Sequence, residues 1–145
     1  MSDLHVLCKI ADAEYVLPAA DVLQMESFAG ATKVPGAAAP VAGLVQIRGR
    51  VVPVLDLRLV FGFERIEPTI DSRVVVMQKD GRTVGLLVDS AREVLKIPAA
   101  NFQPPPSVVV QQTDGLVKAV AQAGTRLLML IDFTKVIGEE RAHGD

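Results

Sequence analysis

The runs Val74-Val75-Val76-Met77-Gln78 and Thr83-Val84-Gly85-Leu86-Leu87-Val88 are short and rich in β-branched and aliphatic residues, and Lys79-Asp80-Gly81-Arg82 joins them. Such runs predict strands, and Asp-Gly between them predicts a tight hairpin, because Gly accepts the positive φ the turn requires. Leu44-Val45-Gln46-Ile47 and Arg50-Val51-Val52-Pro53-Val54-Leu55 flank Arg48-Gly49 in the same way. A tight turn there lifts the Arg48 side chain off the sheet into solvent. Pro53 has no N–H to give a ladder, so its strand is expected at an edge or bulged at that point.

Short helical turns punctuate the strands. Asp56 is placed to cap a turn over Leu57-Arg58-Leu59-Val60-Phe61, with Gly62 ending it. Asp132 and Gly138 repeat that arrangement around Phe133-Thr134-Lys135-Val136-Ile137. Pro18 and Pro98 each open a single turn. These spacings expose an internal repeat: residues 50–62 lie over residues 126–138, with Arg, Asp, Val and Gly coinciding. Upstream, Val22-Leu23-Gln24-Met25 resembles Val94-Leu95-Lys96-Ile97 at nearly the same offset. Two related β units follow, each too small to bury much surface alone, so a shared core is expected. Many short strands with Gly, Pro and Asp punctuation point to small barrels, and the lack of long helical periodicity argues against an α/β fold. The segment from Ala29 to Pro40 reads as a loop, Gln103-Pro104-Pro105-Pro106-Ser107 as a stiff polyproline-like stretch, and Glu139 onward as a flexible tail.

Composition narrows the function. The 145 residues suit one domain, half of them hydrophobic, and the net charge is −2. Lys and Arg form no basic run, so no nucleic-acid surface is expected. Cys8 is the only cysteine, which excludes an internal disulfide and fits a reducing compartment. No apolar run approaches the roughly 20 residues that span a bilayer, and the N-terminus lacks the pattern of a signal peptide. The expectation is a cytoplasmic protein without membrane insertion.

Candidate chemistry is sparse. His5 and His143 lie near the two ends and read as surface residues. Cys8 sits in an apolar strand pattern and reads as a buried small hydrophobe. No clustered metal-ligand spacing, nucleophile motif or phosphate-binding glycine loop is present, so no catalytic residue, metal or cofactor is expected. Arg48-Gly49 is the positive signal, because Arg on a rigid turn suits bidentate recognition of a carboxylate.

At these residues the chain resembles the CheW family. The most specific stretch is Gly43-Leu-Val-Gln-Ile-Arg48-Gly49-Arg-Val-Val-Pro53-Val-Leu-Asp56-Leu57-Arg58, supported by Val84-Gly85-Leu86-Leu87-Val88-Asp89 with Glu93-Val94-Leu95, by Pro104-Pro105, and by Arg126 to Asp132. The resemblance implies an all-β fold of two intertwined five-stranded SH3-like barrels. It implies one domain over residues 4–138, with subdomains near 14–70 and 71–138, the first strand exchanged between them, and a tail over 139–145. It implies a non-enzymatic adaptor, without cofactor, between the cytoplasmic tip of a chemoreceptor and the regulatory domain of a CheA-type histidine kinase, at membrane-associated arrays. Arg48, Val22 and Gln24 are the receptor-side positions it implies. The family usually carries Glu where Gln24 stands, and often an aromatic at Pro40 and Gly at Ala119. The alternative reading is a divergent module that binds a kinase without activating it, or serves another pathway such as twitching motility.

Overall fold

The structure is a computed structural model that describes residues 3–141. In chain order the strands are β1 (Leu4–Ile10), β2 (Ala13–Pro18), β3 (Val22–Ser27), β4 (Val41–Ile47), β5 (Arg50–Asp56), β6 (Arg73–Lys79), β7 (Arg82–Val88), β8 (Ser90–Lys96), β9 (Phe102–Gln103), β10 (Val117–Ala123) and β11 (Arg126–Ile131). Three α-helices, α1 (Leu57–Val60), α2 (Ser107–Gln112) and α3 (Phe133–Arg141), and two single 3-10 turns, Ala19–Asp21 after Pro18 and Ala99–Asn101 after Pro98, punctuate the described strands.

Both expected hairpins form. Lys79 pairs with Arg82 and Ile47 with Arg50, so the two loops are Asp80-Gly81 and Arg48-Gly49. The Asp56 carboxylate accepts from the Arg58 N–H at 3.0 Å and caps α1. Gly62, at φ +85°, follows the helix.

The strands form two sheets, in the orders β8-β1-β2-β11-β10-β9 and β3-β6-β7-β5-β4. Each curls into a small SH3-like barrel. The expected division near residue 70 does not describe this topology. Strands β6 and β7 lie with β3, β4 and β5, while β1 and β2 lie with β8, β10 and β11. Each repeat runs hairpin, single strand, hairpin, helix, with β9 and α2 inserted before the last hairpin of the second, and each gives its first hairpin to the other repeat's sheet. The joints are parallel pairings, β2 with β11 and β5 with β7.

Intertwining explains the unbroken apolar runs. Leu7, Val16, Leu128 and Leu130 fill the core of the first barrel, and Val52, Val54, Val74 and Val76 that of the second. A third and larger cluster lies between the sheets and joins Val6, Cys8, Ile10 and Leu17 to Leu55, Val75, Met77 and Leu86. Sheets covered on both faces lose the polar–apolar alternation of a half-solvated sheet. Cys8 is fully buried in the central cluster, and burial pushes its thiol up to about 12.

Four local expectations are corrected. β5 is an interior strand, not an edge, but its pairing with β7 starts only at Val54, one residue after Pro53. Gly138 does not stop its helix, which continues to Arg141, so residues 139–141 are helical rather than tail; residues 142–145, His143 among them, lie outside the described residues. The proline stretch is flanked by secondary structure, with Gln103 in β9 and Ser107 opening α2. His5 is buried, with Nδ1 2.9 Å from the Asp3 carbonyl and its ring 5.2 Å from that of Phe102.

Candidate partner-binding site

β3 and β4 are the two edges of the second sheet. Curling brings them to opposite walls of an open groove of about 600 Å³. Glu26, Ser27 and Phe28 form one wall, Leu44 to Ile47 the other, and Ala29 to Thr32 close one side. Val74 lies beneath.

Backbone hydrogen bonding decides where β4 is covered. Leu44 exchanges bonds of 2.8 and 2.9 Å with Thr32, outside the sheet. Its cross-strand partner is Pro53, which has no N–H, so this pair is the non-hydrogen-bonded kind and Leu44 is free to bond outward. Two residues on, Gln46 presents its backbone groups in the same outward direction, toward the groove.

On β3 the side chains alternate unusually. Leu23 and Met25 are exposed at 48% and 39%, while Gln24 and Glu26 are half-buried. A register shift between Val22 and Gln24 is the cause. Val22 stands opposite Met77 and packs on the central cluster, whereas Gln24 stands opposite Val76 and faces the second barrel's own core. The Gln24 amide donates to the Glu26 carboxylate at 2.9 Å, which holds the acid at the groove wall.

Arg48 occupies the exposed tip of the β4–β5 hairpin, next to the groove-lining Ile47. It makes no hydrogen bond or ion pair among the described residues, and Gln24 bonds to Glu26 rather than to it. Its φ is +51°. That is the left-handed region, costly for a residue with a long side chain. The sister hairpin puts Asp80, at φ +53°, in the same place, which is the residue type such turns prefer.

The sequence positions thus fall on one barrel, with Val22 on a different face from Gln24, and Arg48 on the hairpin tip that follows the wall opposite Glu26. Sequence reasoning passed over Phe28, Gln46 and Ile47 as wall residues. Nothing local marks them, since the groove exists only once β3 and β4 oppose each other. Among the described residues no group of three or more His, Cys, Asp or Glu is placed to hold a metal, and no helix is long and apolar enough to cross a membrane.

Two intertwined SH3-like barrels with an open, polar-walled groove and an unpaired turn arginine define a β scaffold built to be bound. Residues 5–141 match the CheW-like domain family, and the chain belongs to it. The chemotaxis protein CheW of Rhizobium meliloti is 28% identical over 91% of this chain and 85% of its own length. That of Bacillus subtilis is 29% identical over 88% and 81%. The crystal structure of the scaffolding protein TtCheW from Thermoanaerobacter tengcongensis superposes with a TM-score of 0.83 at 28% identity, covering 91% of this chain and 90% of that one.

Proposed function

We propose that this protein is a non-enzymatic cytoplasmic adaptor that couples chemoreceptors to a CheA-type histidine kinase, with Arg48 and Gln24 as receptor-side positions and Val22 on the neighbouring face of the same strand. Family membership across nearly the whole chain and the likeness to a scaffolding protein support the adaptor role. The site rests on one observation: Arg48 is held at φ +51°, exposed and unpaired, where the fold's own sister hairpin uses Asp. A residue kept against local preference, with no hydrogen bond or ion pair among the described residues, fits a role outside the chain. A guanidinium on a rigid turn fits a carboxylate or a cluster of carbonyls on a partner. Glu26, tethered by Gln24, supplies the opposite charge across the groove.

The test is a pull-down with the regulatory domain of the co-encoded kinase and with soluble receptor tips, for the native protein and for Arg48→Ala. Both partners bind the native protein. The variant keeps the kinase, loses the receptor, and changes in stability by no more than about 0.5 kcal/mol, as an exposed turn residue should. Loss of both partners together with a large drop in stability would make Arg48 structural.

A further inference from the structure

The chain passes between its two sheets at two crossovers, and each holds an aspartate facing the other repeat's hairpin. At the first, between β2 and β3, Asp21 faces Lys79 at 4.0 Å, with the two side chains 26% and 41% exposed. At the second, between β7 and β8, Asp89 makes much closer contacts. Its carboxylate takes a bidentate pair from Arg58, at 2.9 Å from Nε and 2.8 Å from Nη2. It also accepts the Ala11 N–H at 2.9 Å, in the β1–β2 turn. The Asp89 backbone N–H donates to the Lys9 carbonyl at 3.0 Å. One residue therefore ties the helix that follows the second sheet's β5 to a hairpin tip of the first sheet.

We infer that Asp89, clamped by Arg58, is the positioning residue that fixes the orientation of one barrel against the other, and that Asp21 with Lys79 is not. The central cluster between the barrels is mostly aliphatic, and such burial sets contact without direction; its one ring stack, Tyr15 on Phe61 at 5.1 Å, is weakly directional beside a bidentate ion pair. Fork-on-fork pairing of Arg with a carboxylate is directional. The ion pair at Asp21 is long and half-solvated, the geometry that contributes least. Val22 and Gln24 follow directly on that looser crossover, so the angle held at Asp89 also sets how the receptor-facing strand is presented. This last link rests on the adaptor reading above; the positional claim does not.

The experiment is a spin-label distance measurement across the barrels, with labels at Val51→Cys and Lys118→Cys, both on exposed strand positions. Cys8 can stay, since its buried thiol does not compete for the label. The native protein gives one narrow distribution. Asp89→Ala broadens it, and Asp21→Ala leaves it unchanged. Arg58→Lys, which keeps the charge but loses the fork, broadens it while sparing the fold, and so keeps the test open if Asp89→Ala unfolds. Native widths in both Asp89→Ala and Arg58→Lys overturn the inference, as does equal broadening by Asp21→Ala. With partners added, Asp89→Ala keeps the kinase domain and weakens the receptor tip at least about fivefold. If the native protein binds neither partner, the adaptor reading fails and the distance result still stands.

Discussion

Arg48→Asn should make this protein more stable and less able to couple. The β4–β5 turn has φ +51° at Arg48 and +79° at Gly49, against +53° and +78° at Asp80 and Gly81. Both are two-residue loops in the same register, so the second hairpin is an internal reference for the first. A non-glycine residue in the left-handed region costs roughly 1–2 kcal/mol, and Asn or Asp recovers part of this through the local hydrogen bonds of a short side chain. Arg48 has no hydrogen-bond or ion-pair partner among the described residues whose loss would offset the gain. The expected stabilisation is about 0.5–1 kcal/mol, or about 1.5–3.5 °C in Tm for a chain of this size. The chain has no Trp and a single, buried Tyr, so unfolding in urea is best followed by far-UV circular dichroism. Receptor binding should fall as it does for Arg48→Ala. A variant less stable than the native protein by more than about 0.5 kcal/mol would refute the reasoning, because Arg48 would then be making a contact that the structure does not contain.

Two further outcomes follow from the geometry. At Gly43, φ is +139°, and a Cβ would stand 2.8 Å from the Thr32 carbonyl carbon and closer still to its oxygen. Gly43→Ala should therefore break the Thr32–Leu44 bonds and cost about 2–4 kcal/mol, from two hydrogen bonds and backbone strain, with faster amide exchange at both residues; a loss below about 1 kcal/mol would count against that packing. Glu14 is held below the ordinary carboxylate value, mainly by its bond from Arg126, so its contribution is fully present above about pH 4.5 and is lost as pH falls through the lowered folded value. The gap in stability between native protein and Glu14→Gln should be at most about 1 kcal/mol near neutrality, given the exposure of the pair, and should close on acidification; a gap that widens in acid would contradict the sign.

Much of the fold was legible because the signals were local. Asp80-Gly81 and Arg48-Gly49 mark their turns by backbone chemistry alone, and Asp56 caps α1 within two residues. What was not legible depended on distant partners. No sequence feature says whether a hairpin pairs with its own repeat or the other, so the exchange of β1–β2 and β6–β7 does not match a boundary near residue 70. His5 reads as a terminal surface residue until Phe102 is brought against it. The run Ser107-Val108-Val109-Val110-Gln111-Gln112 has the composition of a strand, yet forms α2 once Pro106 opens the turn and Thr113 bonds back to the Val109 carbonyl. At the candidate site, Arg48 was readable from its turn. The splitting of Val22 and Gln24 onto different faces was not, because a bulge is a property of the β3–β6 pairing.

The repeat also explains why this groove opens on the second barrel while the matching edge of the first is covered. Laying Arg50 over Arg126 sets Leu44 over Val120, Gly43 over Ala119 and Arg48 over Gly124. On the second barrel the outer edge of β4 is met at a single isolated bridge, Thr32 with Leu44. On the first barrel the corresponding edge of β10 is met by a strand, β9, with Gln103 opposite Val120 and Phe102 opposite Ala121. Phe102 then packs on the core of the first barrel, beside His5. One duplicated slot is thus filled by the chain's own strand and aromatic ring, and its hairpin tip is a plain Gly124-Thr125. The other is left open, walled by Glu26 and flanked by Arg48. Two halves that share a pattern differ at this edge, and the open one is where the charge of Arg48 stands without a partner among the described residues.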